Sequence, residues 1–157
     1  MTSRPGSGLF HPLVYGAIVV LALNDHWAKA KWPGLVTGKL SDVAGLLFFP
    51  LFLQAGWELL GSLRGPVAPS FSVARIATVL TGIVFCAVKT FEPASLTYEW
   101  GLGLLRVPLE GSLRPVSLTR DATDLIALPV LVVPWLLARK RARLNDGSPA
   151  GSPTAAC

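Results

Sequence analysis

Charged residues are scarce in this chain, since Asp, Glu, Lys and Arg make up only 15% of its 157 residues. Cysteine is almost absent, because Cys86 and Cys157 are too few for a disulfide framework and form no Cys-x-x-Cys metal pair. The sequence also lacks an HExxH helix, a phosphate-binding glycine loop and a nucleophile elbow. These absences exclude the enzyme and metal-site classes that such motifs identify.

Apolar residues dominate the composition instead. The AVILMFWYC set reaches 52% and the mean hydropathy is +0.54, which is typical of a membrane chain. Four stretches are long enough to cross a bilayer as helices: about residues 12–31, 41–60, 72–91 and 119–138. We therefore expect an all-α, polytopic membrane bundle of four transmembrane helices, which forms one domain over residues 9–143. Residues 1–8 and 144–157 are rich in Gly, Ser, Pro and Ala and are expected to be disordered tails.

Prolines and small residues distinguish individual spans. Pro50 in the second span, and Pro129 and Pro134 in the fourth, predict bends because proline removes a backbone hydrogen bond and crowds the preceding turn. In the third span, small residues recur at every fourth position, a spacing that lets helix backbones approach closely in lipid. We expect a membrane-protein partner or a second copy of the chain to bind through this face, which is formed by Ala74, Thr78, Gly82 and Cys86.

The stretch between the third and fourth spans, residues 90–118, is interrupted by charges and prolines and cannot cross hydrocarbon. Extended runs flank Glu110, Gly111 and Ser112, so we expect an extracytoplasmic loop with a short hairpin. The alternative is a short amphipathic helix from Ser95 to Leu105 at the membrane interface.

Basic residues determine the expected orientation. Four of them directly follow the last span, as is typical of a cytoplasmic flank: Arg139, Lys140, Arg141 and Arg143. Both termini are therefore expected in the cytoplasm, with Gln54 and Glu58 reaching cytoplasmic water from the inner end of the second span. This run is interpreted as a topology anchor, with binding to anionic lipid as the alternative, so the net charge of +5 does not indicate nucleic acid, and the expected partner is the lipid bilayer.

In this topology, polar and charged side chains gather at the outer end of the bundle. Ionisable groups are costly inside hydrocarbon, so a cluster of them at one membrane level predicts a functional site. We predict one ligand or ion cluster with nine members: Asn24, Asp25, His26, Lys39, Asp42, Lys89, Arg120, Asp121 and Asp124.

Several members of this cluster have a second interpretation. Asp42 and Asp121 are placed to cap helix N-termini, and Asp124 to form a buried ion pair with Lys89 or Arg120. A histidine in the cluster is either a proton carrier, a neutral metal ligand or a side chain that only reaches towards the interface. The residues that could hold a metal, without a recognised ligand spacing, are Asp25, His26, Asp121 and Asp124.

Three short elements resemble segments of small, uncharacterised bacterial membrane proteins. They are N-D-H at residues 24–26, T-G-K-L-S-D at 37–42 and D-x-x-D-L at 121–125. The order of the spans also distantly resembles VanZ-like membrane proteins, although the D-K-x-x-H pattern of that family is not present. The resemblance implies a bacterial envelope location, in the inner membrane, and no activity.

These observations predict an integral membrane protein that acts as a small-ligand or ion-binding module or as an accessory subunit, without a cofactor and by default without enzymatic activity. Two alternatives stay open. One is a membrane-embedded enzyme, such as a hydrolase, that uses a metal or acid/base groups of the cluster. The other is a purely structural partner bundle, which the small-residue face of the third span favours.

Overall fold

A computed structural model describes residues 6–28, 31–32, 34–65, 67 and 70–146. Over these residues the protein is all-helical, with five α-helices and no strand. The α-helices are α1 (Pro12–Leu23), α2 (Leu35–Ser62), α3 (Phe71–Thr90), α4 (Glu92–Glu110) and α5 (Val132–Asp146). A π-helical turn, Asn24–Ala28, continues α1, and 3-10 helices at Ser7–Phe10 and Ala122–Leu131 precede α1 and α5.

Three helices in the described part of the chain are long and apolar enough to cross a membrane: Val36–Ser62, Phe71–Thr90 and Ala122–Leu144. They correspond to the second, third and fourth predicted spans. Of the first predicted span, residues 12–31, the structure describes α1, the π-helical turn that follows it and residue 31, whereas residues 29 and 30 lie outside the described residues. The described residues thus contain three candidate spans, and a fourth span at residues 12–31 stays a prediction.

Helix α2 is the centre of the bundle and contacts α1, α3, the 3-10 helix Ala122–Leu131 and α5. Its buried side chains include Ala44, Leu46 and Ala55, and buried alanines also occur on its neighbours, among them Ala17 of α1 and Ala77 of α3. Small side chains let helices approach closely, which favours their association in lipid, where the hydrophobic effect does not drive helices together. Large apolar side chains are turned outwards instead, as expected where lipid replaces water around a bundle.

The prolines of the last span change the helix type. The first part of this span, Ala122–Leu131, has 3-10 geometry over 10 residues, and α-helical geometry begins at Val132, between Pro129 and Pro134. Long 3-10 runs are uncommon. Because Pro129 and Pro134 lack the N–H that an α-helix would use, they weaken the α-helical alternative in this part of the span. Pro50, in contrast, lies buried within a continuous α2.

The hairpin prediction for the segment between the third and fourth spans is wrong, because residues 92–110 form α4. The alternative helix, Ser95 to Leu105, lies within it. Glu92 and Pro93 occupy the first turn, where an acidic residue and proline both favour a helix start. Gly111 ends the helix with a φ of 67°, a left-handed conformation that suits glycine.

After Gly111 the backbone runs back along α4 without regular secondary structure over residues 112–121, which we call the return segment. The Val116 N–H donates to the Glu99 carbonyl oxygen (3.1 Å), and the Leu118 N–H donates to Glu99 Oε1 (3.0 Å). A side chain at Gly103 would clash with the Arg114 carbonyl group, so glycine is required for this contact. The return segment thereby brings the start of the last span back to the bundle.

The structure describes parts of the predicted tails. The 3-10 helix Ser7–Phe10 begins within the predicted tail 1–8, and α5 extends to Asp146, within the predicted tail 144–157. The remaining tail residues, 1–5 and 147–157, lie outside the described residues.

The small-residue face of α3 packs inside the chain. Ala74 and Thr78 are buried, and a Cβ at Gly82 would lie 3.0 Å from Leu131 Cδ1 in the last span. Cys86, at the end of this face, is half-buried. The close approach that the sequence predicts is thus found between α3 and its own neighbours, and binding of a partner through this face stays a prediction.

Candidate functional site

Two lysines and two aspartates form a continuous ion-pair network at one end of the bundle. Lys89 Nζ lies 2.6 Å from Asp124 Oδ2 and 2.9 Å from Asp42 Oδ2, so a single ammonium group joins both carboxylates. Lys39 Nζ contacts the other oxygen of the same aspartate, Asp124 Oδ1, at 2.9 Å. We call Lys39, Asp42, Lys89 and Asp124 the four-residue network.

Three different helices supply these side chains. Lys39 and Asp42 are three positions apart on α2, which places them on the same face of that helix. Lys89 lies in the last turn of α3, and Asp124 lies in the first turn of the 3-10 helix that opens the last span. The start of one span, the end of the next and the start of the third therefore meet at this network.

The position of the network along the spans indicates its depth. Lys89 is one residue from the end of the candidate span Phe71–Thr90, and Asp124 is two residues from the start of Ala122–Leu144. Asp42, the deepest member on α2, is six residues from Val36, or about 9 Å at the rise of an α-helix. The network thus lies at the level of one membrane interface rather than at the centre of the bundle.

Burial divides the network into an inner and an outer part. The side chains of Lys89 and Asp124 are 7% and 9% exposed, whereas that of Lys39 is 33% exposed. Lys89 also lies 5.6 Å from the centre of the Phe85 ring, a favourable cation–π position. The two positive and two negative groups balance, which is the condition under which charges are tolerated away from water. Lys39 is the member of the network that solvent or a ligand can reach.

Two further side chains belong to this site and were missed by the sequence analysis. Thr123 Oγ1 accepts a hydrogen bond from Lys39 Nζ at 2.8 Å. Tyr98 of α4, which is 36% exposed, lies near Asp42: partial burial raises the pKa of its phenol, and the negative charge of Asp42 adds to the shift. Thr123 directly precedes Asp124, but neither Thr123 nor Tyr98 carries a charge that would have signalled its role.

Asp121 and Arg120 lie beside the network, not in it. Asp121 caps the 3-10 helix, because its Oδ1 accepts the Thr123 N–H at 2.8 Å, and hydrogen bonds from Thr123 lower the pKa of this carboxyl group. Arg120 Nη1 lies 3.5 Å from Glu92 Oε2, and both side chains are exposed. Arg120 therefore links the return segment to the start of α4.

The capping interpretation of Asp42 is wrong, because α2 begins at Leu35 and not at residue 41. Thr37 stabilises this earlier start, since its hydroxyl accepts the Gly34 N–H at 3.2 Å. Asp42 consequently lies inside a helix, where its carboxylate is available for Lys89.

The N-D-H element contributes to the bundle through its first residue. Asn24 is buried in the π-helical turn, and its Nδ2 donates to the Thr37 carbonyl oxygen and to Ser41 Oγ, both at 2.6 Å. Its Oδ1 has no hydrogen-bond partner in the described part of the chain. His26 is exposed, with Nδ1 3.0 Å from the Ala22 carbonyl oxygen. The prediction for Asp25 concerns a side chain outside the described residues.

No group of three or more His, Cys, Asp or Glu side chains among the described residues is arranged to hold a metal ion. Of the four residues named as metal candidates, Asp121 caps a helix and Asp124 binds two lysines. The chemistry that the site offers is therefore that of paired ammonium and carboxylate groups.

A second polar group closes the opposite end of α2, where the sequence predicts side chains that reach water. Gln54 and Glu58 are instead buried, and Gln54 Nε2 donates to Glu58 Oε1 at 2.8 Å. The Gly6 N–H donates to Glu58 Oε2 at 2.9 Å, and Arg141 of α5 interacts electrostatically with Glu58. Chain segments that are distant in sequence thus cover these side chains, which hydropathy alone did not reveal.

Comparison of this chain with known protein families, with curated proteins and with solved structures finds no match. The function is accordingly argued from the geometry of the four-residue network and its surroundings.

Proposed function

We propose that this protein is a small multi-pass protein of the bacterial inner membrane, in which the four-residue network is a polar binding site for a small ligand or ion at the outer membrane face. One observation carries the proposal: Lys39 is one-third exposed, while the Lys89–Asp124 pair that it contacts is almost fully buried. A ligand can replace the Lys39 contact without exposing Lys89. The buried pair keeps the helices in place during that exchange.

The three sequence elements that resemble small bacterial membrane proteins meet at the site, and this supports the proposal. T-G-K-L-S-D supplies Lys39 and Asp42 of the network, and D-x-x-D-L supplies Asp124. N-D-H supplies Asn24, which binds the backbone and a hydroxyl of T-G-K-L-S-D. The sequence elements on which the resemblance to small bacterial membrane proteins rests are therefore the ones that contact each other around this site.

The proposed topology has α1 as a fourth, partly π-helical span and both termini in the cytoplasm. Its support is the basic run after the last span, together with the packing of α1 against α2. The network then faces the outside, as do α4 and the return segment. Single-cysteine variants in a Cys86→Ala, Cys157→Ala background, labelled in intact cells with a membrane-impermeant maleimide, test this. Arg114→Cys should react and Leu144→Cys should not, whereas the opposite pattern would reverse the orientation.

Occupancy of the site is tested by native mass spectrometry of full-length protein extracted gently from its membrane. We expect a small bound species on the wild type that is lost in Lys39→Gln and retained in Arg120→Gln. The second variant is a matched control, because Arg120 is a cation near the same membrane level but outside the network. Identical spectra for all three proteins, with no bound species, would refute a ligand site.

A purely structural role is the second candidate, because every charge of the network already has a partner of opposite sign. In that case the network only fixes how the three spans pack. Replacement of all four residues by Lys39→Gln, Asp42→Leu, Lys89→Met and Asp124→Leu would then give a folded protein that retains its function. Loss of function in a folded quadruple variant favours the binding site.

A further inference from the structure

We infer that the ligand of this site is a zwitterionic aminophosphate of the phosphoethanolamine type. Its primary ammonium group takes the place of Lys39 on Asp124 and Thr123, and the displaced Lys39 ammonium binds its phosphate. This inference rests on the proposed function, because it assigns a chemical class to the ligand of the same site.

The protein itself shows what the ammonium subsite accepts. Lys39 Nζ lies 2.9 Å from Asp124 Oδ1 and 2.8 Å from Thr123 Oγ1, so a carboxylate and a hydroxyl oxygen already hold a primary ammonium group there. A ligand ammonium can donate the same two hydrogen bonds. Lys39 is the side chain to be displaced, since it is the most exposed member of the network and ends a flexible stem.

Charge balance selects a zwitterion over a simple ion. The network contains two ammonium and two carboxylate groups, so it is neutral before a ligand binds. A ligand with a net charge would leave one group unpaired, which is costly away from water. An aminophosphate instead exchanges one ion pair for two: its ammonium group pairs with Asp124, and Lys39 pairs with its phosphate. Lysine is a common partner of phosphate groups in proteins.

The surroundings of the subsite favour a lipid as the source of this head group. Three large apolar side chains near Lys39 and Thr123 point outwards: Val36 and Ile126 are 80% and 77% exposed, and Leu40 is 43% exposed. Ile126 follows Thr123 by three positions in a 3-10 helix, where such residues lie directly above one another. The exchangeable ion pair therefore opens beside a surface suited to acyl chains, at the membrane interface. Glycerophosphoethanolamine, the soluble diester without acyl chains, carries the same polar chemistry but would leave this surface unused.

Phosphocholine and phosphoglycerol can bind Lys39 through their phosphate but cannot replace the Lys39 ammonium group on Asp124. The quaternary ammonium of phosphocholine has no N–H and cannot donate to Asp124 or Thr123. Phosphoglycerol has a phosphate for Lys39 but no cation to replace it on Asp124. The structure therefore predicts that phosphoethanolamine binds better than phosphocholine and phosphoglycerol, although all three carry the same phosphate diester.

The test is a titration of the full-length protein in detergent, followed by native mass spectrometry. The ligands are dihexanoyl phosphatidylethanolamine, the matching phosphatidylcholine and phosphatidylglycerol, and soluble glycerophosphoethanolamine. We expect phosphatidylethanolamine to bind about tenfold or more tightly than the other two lipids, the scale of one charge-assisted hydrogen bond. Lys39→Gln removes the partner of the phosphate that all three lipids share, so it should change their affinities without removing the preference for phosphatidylethanolamine, and Arg120→Gln should change neither.

Thr123→Val is a second variant that keeps the side-chain shape and does not break an ion pair. Thr123 is exposed, so this protein should fold even if Lys39→Gln does not. We expect its affinity for phosphatidylethanolamine to fall about fivefold, which corresponds to the loss of about 1 kcal/mol for one solvent-accessible hydrogen bond, with no change for phosphatidylcholine.

Each outcome decides the inference. Equal binding of phosphatidylethanolamine and phosphatidylcholine, unchanged in both site variants, overturns it. Tighter binding of phosphatidylglycerol that depends on Lys39 overturns it as well, but leaves the proposed ligand site standing. If neither the four ligands nor any species bound during purification shows binding that depends on Lys39 or Thr123, the aminophosphate inference and the proposed ligand site are both refuted. Soluble glycerophosphoethanolamine that binds as tightly as the lipid supports the aminophosphate chemistry and identifies a soluble source.

Discussion

Asp124 is the residue on which the network depends most, because its two carboxylate oxygens bind two different lysines. We predict that Asp124→Asn destabilises the protein more than neutralisation of an exposed charged residue outside the network. The substitution weakens the ion pairs with Lys89 Nζ at 2.6 Å and with Lys39 Nζ at 2.9 Å. An asparagine offers one acceptor oxygen and places an NH2 group against the other lysine.

The structure sets the size of this effect. Removing one partner of a buried ion pair costs about 3–5 kcal/mol when the remaining charge is left alone. Lys89 keeps Asp42 at 2.9 Å, and Lys39 is partly exposed, so neither lysine is left alone. We therefore expect the free energy of unfolding to fall by about 2–3 kcal/mol. The matched control is Glu92→Gln, which breaks an exposed pair of 3.5 Å and should cost less than about 1 kcal/mol.

The assay is reversible unfolding of the full-length protein in mixed micelles by SDS, followed by helical circular dichroism. A double-mutant cycle with Lys89→Met adds a direct measurement of the pair. Its coupling energy should exceed about 1 kcal/mol, as is found for residues in direct contact. Two results would refute the reasoning: an Asp124→Asn protein as stable as Glu92→Gln, or a coupling energy near zero.

Three further predictions concern the parts of the fold that surround the site. Gly103→Ala should displace the return segment, because the added methyl group meets a backbone carbonyl, so amide hydrogen exchange in that segment should become faster. Gly101→Ala is the control: there is open space around Gly101, and the exchange should stay unchanged. Asn24→Ala should lower the free energy of unfolding by about 1–3 kcal/mol, because it removes two buried hydrogen bonds. His26→Ala, at an exposed position, should change it by less than about 0.5 kcal/mol, and equal effects of the two variants would contradict a stabilising role of Asn24. Glu58→Leu should release the start of the chain, so that limited proteolysis before α1 becomes faster; an unchanged rate would show that this buried carboxylate does not hold the segment.

Helix positions in this protein were largely predictable from the sequence. The second, third and fourth predicted spans appear as candidate spans, because long apolar runs must bury or shield their backbone groups as helices. The segment at residues 92–110 was wrongly predicted as a hairpin, although its helix signals were present in Glu92, Pro93 and Gly111. Its apolar and polar residues fit both the helical period and the strand period, and the short apolar runs between Gly and Pro residues favoured strands.

The candidate site was predictable as a location but not as a set of contacts. Four of the nine predicted residues form the network, while Asp121, Arg120 and Asn24 have other partners nearby and His26 is exposed. The sequence also could not reveal Thr123, Tyr98 or the burial of Glu58. A hydropathy pattern defines the depth of a residue, but it does not define the rotation of the helix that carries it.

The sequence by itself determined that the chain is helical and apolar, and that its charges fall near the ends of the spans, since hydrocarbon tolerates few unpaired charges. Only the tertiary structure decided which charges pair. Lys89 binds residues 35 and 47 positions away, and Lys39 binds a residue 85 positions away. Such contacts depend on how three helices are rotated and packed against each other. Small side chains and polar contacts across the whole bundle determine that arrangement, and no local stretch of sequence does.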